Sequence, residues 1–111
     1  MLLSHINNPI EFVLLAAAFF ISLTVHEFAH ALTADRLGDP TPRLMGRLTL
    51  NPRAHLDPLG TLMILFAPFG WAKPVPFDPF NLKNPRRDAA LISLAGPMSN
   101  LFLACLVALI L

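Results

Sequence analysis

The sequence predicts an α-helical integral membrane protein, with two long transmembrane helices and a re-entrant, strand-like segment between them on the cytoplasmic side. Three observations predict it. Of the 111 residues 55% are hydrophobic and only 14% charged, and the mean hydropathy is +0.61, a balance displaced from soluble domains toward membrane proteins. Two apolar runs, residues 12–34 and 89–111, are each longer than the roughly 20 residues that cross a bilayer. All eight Lys and Arg fall between those runs. A chain of this length makes one membrane-embedded domain, residues 1–111.

The first run, FVLLAAAFFISLTVHEFAHALTA, is preceded by MLLSHINNPIE, which carries no basic residue. The run also continues past the alanines at 16–18, so a transmembrane helix is expected rather than a cleaved leader. After it, MGRLTLNP is rich in β-compatible residues and is expected to form an extended strand or a loop rather than a helix. Asp57-Pro58 has the form of a helix start, with Asp57 as cap and Pro58 in the first turn. Residues 59–72, LGTLMILFAPFGWA, are apolar but too few to cross, and Pro68 and Gly70 break them. That texture suits a re-entrant or interfacial piece. WAKPVPFDPFNLKNP follows as a second extended stretch, with Trp71 and Phe77 placed for the interfacial belt. In the second long run Pro97 cannot donate to the carbonyl of Ser93, which loosens the helix, and Gly96 permits close approach of a neighbour. Asn100, one turn further, offers an amide inside the membrane, suited to helix packing.

Charge placement sets the topology. If the short apolar piece crossed the membrane, the eight basic residues would divide four and four, and the positive-inside bias would vanish. If it dips in and returns, all eight are cytoplasmic. The expected arrangement therefore has the N-terminus outside and residues 35–88 on the cytoplasmic side. The basic residues are scattered and the net charge is +1, which excludes a nucleic-acid partner. Asp35, Asp39, Asp78 and Asp88 read as solvated or turn residues, and Cys105, the single cysteine, as a packing residue.

Three ionisable residues stand inside the first apolar run, in HEFAH. His26 and His30 are four apart, so on a helix both imidazoles share one face and can approach one ion. Glu27 lies about 100° round the axis, placed to address a water on that ion rather than the ion itself. This is the HExxH pattern of zinc hydrolases, in which the metal acidifies a water and the glutamate takes its proton. Ionisable groups within a span are costly, so three at metal-site spacing point to function rather than packing. His55 and Asp57, in NPRAHLDP, are further candidates for metal or proton handling, with a loop position and a helix cap as their alternative readings.

HEFAH on a hydrophobic helix, followed by GRLTLNPRAHLDPLGT, GWAKPVPFDPFNLKNPRRD and LAGPMSNLFLA, resembles the site-2 protease family of intramembrane zinc metalloproteases. The resemblance runs from about residue 12 to the last. It implies that His26 and His30 bind Zn2+ and that Glu27 is the catalytic acid/base. It also implies that residues 70–77 form a membrane-dipping element beside the active site, and that Gly96, Pro97 and Asn100 lie in its vicinity. The implied partners are the lipid bilayer and a membrane-spanning helix of a substrate protein. In that family the third zinc ligand is an aspartate in an LDG-type motif on a later helix, and these residues contain no such motif. The chain is therefore expected to be the amino-terminal portion of a longer enzyme. The alternative is a truncated, non-catalytic membrane module that binds helices or metal without cleavage.

Overall fold

The structure, a computed structural model, describes residues 2–67 and 75–111. Its helices begin where a short polar side chain stands before a proline. At Asn8-Pro9 the Asn8 side chain accepts from the Glu11 N–H at 3.2 Å, and Pro9 opens α1, Pro9–Arg36. Asn51-Pro52 and Asp78-Pro79 open short 3-10 turns in the same way, at Pro52–Ala54 and Pro79–Asn81. Asp57-Pro58 opens α3, Pro58–Phe66, with Asp57 accepting from the Leu59 N–H at 3.1 Å. At Asn84-Pro85 the cap works differently. Asp88 reaches back from the first turn of α4, Pro85–Ile110, to accept from the Asn84 N–H at 3.1 Å.

α1 ends in a Schellman turn. Gly38 takes φ +109°, and the N–H of Asp39 returns to the Ala34 carbonyl at 2.9 Å. This delivers Asp39 to a corner that it then organises. Its Oδ1 accepts from the Thr41 N–H at 3.0 Å, the Thr41 hydroxyl at 2.6 Å and the Asn81 amide at 3.1 Å, while Oδ2 accepts from the Asp78 N–H at 2.6 Å. The side chain thus joins the exit of α1, the start of α2 (Thr41–Leu44) and the approach to α4. Asp39 and Asp88, expected to be solvated or turn residues, are 0% and 1% exposed; Asp39 accepts from the Thr41 and Asp78 N–H groups and Asp88 from the Asn84 N–H, donors that burial would otherwise strand, and Asp88 also accepts from the Arg87 guanidinium.

α1 and α4 pack side by side and antiparallel, with residue 26 level with residue 100 and residue 30 level with residues 92–96. The apolar cluster sits at the end where the connecting segment lies: Ala34, Leu82 and Ile92 are buried, with Leu37 against them. Elsewhere the large apolar side chains face outward, among them Val13, Leu14, Leu94, Met98 and Phe102. α1 and α4 are both long and apolar enough to cross a membrane. Their 28 and 26 residues extend about 42 and 39 Å, against a hydrocarbon layer of about 30 Å.

Among the described residues there is no β-strand, so within them the connecting segment takes the loop rather than the strand form expected of it. Residues 45–57 instead turn repeatedly. Gly46 adopts φ +74°, and Asn51 and Asp57, themselves extended in backbone, fold their side chains onto the N–H groups two residues on, so the β-compatible residues between them form turns rather than a continuous strand. Of the re-entrant piece expected over residues 59–72, the described part is mainly the helix α3. Residues 68–74, with Pro68, Gly70 and Trp71, lie outside the described residues, as does most of the dipping element expected over residues 70–77.

Candidate active site

The site is built where the two long helices come closest. His26 and His30, one turn apart on α1, turn their rings toward α4 and toward each other, with the two Nε2 atoms 3.0 Å apart and the ring planes at 79°. Each Nδ1 meets a group on α4. His30 Nδ1 lies 2.5 Å from the Ile92 carbonyl oxygen, and His26 Nδ1 lies 3.2 Å from the Asn100 amide. A carbonyl only accepts, so the proton of His30 sits on Nδ1 and its Nε2 presents a lone pair.

Gly96 makes the approach possible. A Cβ there would stand 2.5 Å from His30 Nε2 and 2.6 Å from His26 Nε2, closer than atoms can sit. The backbone of α4 is thus a notch that two imidazoles fill. Pro97 follows inside the same turn of α4, and the Ser99 hydroxyl donates to the Gly96 carbonyl at 2.6 Å. Glu27, 9% exposed, opens with His26 onto a cleft of about 250 Å³ whose other walls are Phe19, Ser22, Leu23 and Asn100. His30 is not among the residues that line it.

These residues suit part of a zinc centre. Tetrahedral zinc with N ligands at about 2.0–2.1 Å holds them about 3.3 Å apart, close to the Nε2 separation of 3.0 Å. The outer nitrogen of His30 is held from behind by a carbonyl acceptor, as a ligating histidine requires, while that of His26 meets an amide that can present either an N–H or an oxygen. Among the described residues no three His, Cys, Asp or Glu side chains converge, so the third ligand is not among them. His55 and Asp57 do not join the pair. His55 is fully buried with Nε2 2.9 Å from the Thr49 carbonyl, and Asp57 caps α3. Sequence reasoning missed the Ile92 carbonyl, since a backbone acceptor leaves no mark in the residue types. It read Gly96 as a point of close approach without finding what approaches.

Comparison with known proteins identifies the family. Residues 14–111 match the model of peptidase family M50. "Putative zinc metalloprotease YwhC" of Bacillus subtilis (strain 168) is 52% identical over 90 residues, which cover 81% of this chain and 41% of the relative. "Putative zinc metalloprotease Rip2" of Mycobacterium tuberculosis (strain ATCC 25618 / H37Rv) is 42% identical over 101 residues, 86% of this chain and 38% of the relative. The protein of the same name from Mycolicibacterium smegmatis is 37% identical over 100 residues, again 86% and 38%. No solved structure matches the chain significantly. The chain spans about two fifths of the length of these relatives, whose names specify zinc. The HEFAH helix, the AGPMSN helix packed against it and the match over residues 14–111 place the chain in peptidase family M50, the site-2 protease family.

Proposed function

We propose that this chain supplies the zinc-binding helix pair and the general base of an intramembrane endopeptidase that cuts membrane-spanning segments of substrate proteins near the cytoplasmic face. The observation that carries the reading is the convergence of the His26 and His30 Nε2 atoms in the Gly96 notch, on two helices able to span a bilayer. His26 lies about 14 residues into the apolar run, or about 21 Å along it, which puts the pair in the cytoplasmic half of the hydrocarbon under the proposed topology.

Zinc bound there supplies a Lewis acid that acidifies water and polarises the scissile carbonyl. Glu27, beside the ligands and facing the cleft, accepts the proton of that water and returns it to the departing amine. Ser22 and Asn100 give the cleft polar walls by which water reaches this depth. The substrate helix unwinds locally, because a helix with every backbone group bonded hides its carbonyls.

The test uses the chain in detergent and a version extended by a helix bearing an LDG-type aspartate. His26→Ala and His30→Ala should each abolish zinc retention, measured by atomic absorption. The extended chain should cleave a model membrane substrate, and Glu27→Gln should lower the rate by at least 100-fold with zinc retained. Zinc held without any Glu27-dependent cleavage would instead support a non-catalytic membrane module, and near-stoichiometric zinc after both histidine substitutions would sink the site.

A further inference from the structure

We propose that Asn100 is a positioning residue whose side-chain oxygen accepts the Nδ1–H of His26 and so keeps that imidazole with its Nε2 lone pair toward the metal. The inference rests on the zinc site proposed above. Two imidazoles that share one cation through Nε2 must both carry their proton on Nδ1. His30 meets the requirement without ambiguity, because Nδ1 faces the Ile92 carbonyl. Among the described residues, the group that His26 meets at that nitrogen is Asn100.

The orientation of the amide therefore decides whether His26 is a ligand. With the Asn100 nitrogen toward the ring at 3.2 Å, the amide donates to Nδ1, the ring proton moves to Nε2, and His26 bonds to His30 across 3.0 Å. That arrangement closes the site. It also leaves Asn100 Oδ1 buried with no hydrogen-bond partner, one of three such side-chain atoms among the described residues. A half-turn of the amide exchanges two groups of nearly equal size and shape. The oxygen then accepts from His26 Nδ1–H, the stranded acceptor gains a donor, and both Nε2 lone pairs point at one place. Two lone pairs facing at this distance repel unless a cation lies between them, so this arrangement is the one that binds metal. The amide nitrogen then takes the buried place that the oxygen held, at the edge of the cleft of which Asn100 is a wall, and its N–H groups need an acceptor brought there by water or a substrate carbonyl.

The geometry thus gives Asn100 a role that an acceptor-only side chain can fill. Asn100→Asp keeps an oxygen within reach of His26 Nδ1–H, and Asn100→Leu keeps the bulk without any acceptor. Zinc affinity of the 111-residue chain in detergent, measured by chelator competition, should fall 10- to 100-fold in Asn100→Leu and stay within about threefold of the parent in Asn100→Asp. In the zinc-loaded parent, proton NMR should show the His26 Nδ1–H as a slowly exchanging resonance, retained in Asn100→Asp and lost to solvent exchange in Asn100→Leu. Parent-like affinity in Asn100→Leu overturns the proposal, and so does equal loss in both variants. Failure of the parent itself to bind zinc through His26 and His30 overturns the site reading and this inference with it.

Discussion

Gly96 separates local stability from function at a single residue. Alanine is favoured over glycine in a helix interior by roughly 0.8–1.0 kcal/mol, so Gly96→Ala should leave the helix content of α4 intact or slightly raised. The added Cβ, however, would sit 2.5–2.6 Å from both imidazoles, and the neighbours it meets include the proposed ligand atoms, the two Nε2 nitrogens. Either the rings turn away or α4 backs off, and both separate the Nε2 atoms from their common point. Zinc affinity should fall about tenfold or more while circular dichroism stays unchanged, a split that chelator competition and far-ultraviolet spectra read directly. Unchanged affinity would mean that the notch does not hold the rings. At this scale the sequence was legible where chemistry is written in side chains. HEFAH announces itself because a spacing of four puts two imidazoles on one face, and AGPMSN marks a close approach by its glycine. The Ile92 carbonyl was not legible, and the depth at which Asn100 meets His26 depends on how two helices register, which no local pattern encodes.

At the scale of elements, the prolines told where helices start, and they did so for a physical reason. Each stands behind an Asn or Asp, whose oxygen serves N–H groups that helix geometry leaves free, except at Asn84, where Asp88 takes over. What the sequence hid is the use of Asp39. It looks like a turn aspartate, yet it binds segments about 40 positions apart, and its meaning appears only when residues 78–81 come home to the end of α1. Burial alone would raise the Asp39 carboxyl, but the hydrogen bonds from Thr41, Asp78 and Asn81 outweigh it and hold the group below the ordinary carboxylate range. A depressed folded-state value stabilises the fold above the unfolded value of about 3.9, and that contribution is lost as pH falls through the lower folded value. Thermal unfolding in detergent should therefore weaken from this group only below about pH 4. Asp39→Asn exchanges one acceptor oxygen for a donor, strands at least one of the four bonds, and should cost about 1–3 kcal/mol near neutral pH. It should also flatten the acid limb of the stability profile. An unchanged unfolding temperature would show that the corner does not depend on the carboxylate.

For the whole molecule, the arrangement across a bilayer follows from how the ends of the two long helices are tied. α1 and α4 run antiparallel, so the residues that join them gather at one end, and Asp39 holds Asp78 and Asn81 there while Gly38 packs on the Asn81 carbonyl. α3 cannot carry the chain across, since its nine residues extend about 14 Å against about 30 Å of hydrocarbon. Seven of the eight basic residues are among the described ones and lie between the two apolar runs, and under the proposed topology the positive-inside bias makes that side cytoplasmic. Single cysteines test the arrangement once the exposed Cys105 is replaced by Ser. Arg43 and Lys83 flank the connecting segment, and Arg43 is 58% exposed with an ion pair to Asp35 at 3.0 Å, a surface contact whose loss costs at most about 1 kcal/mol. An impermeant thiol reagent should label Arg43→Cys and Lys83→Cys in inverted membrane vesicles and neither in sealed, right-side-out ones. Labelling of the two positions from opposite sides would require a third crossing between them and would break the link between the buried Asp39 corner and the topology. Labelling of both only from the outside would keep the fold and reverse its orientation, moving the His26–His30 pair to the outer half of the bilayer and the cleavage with it.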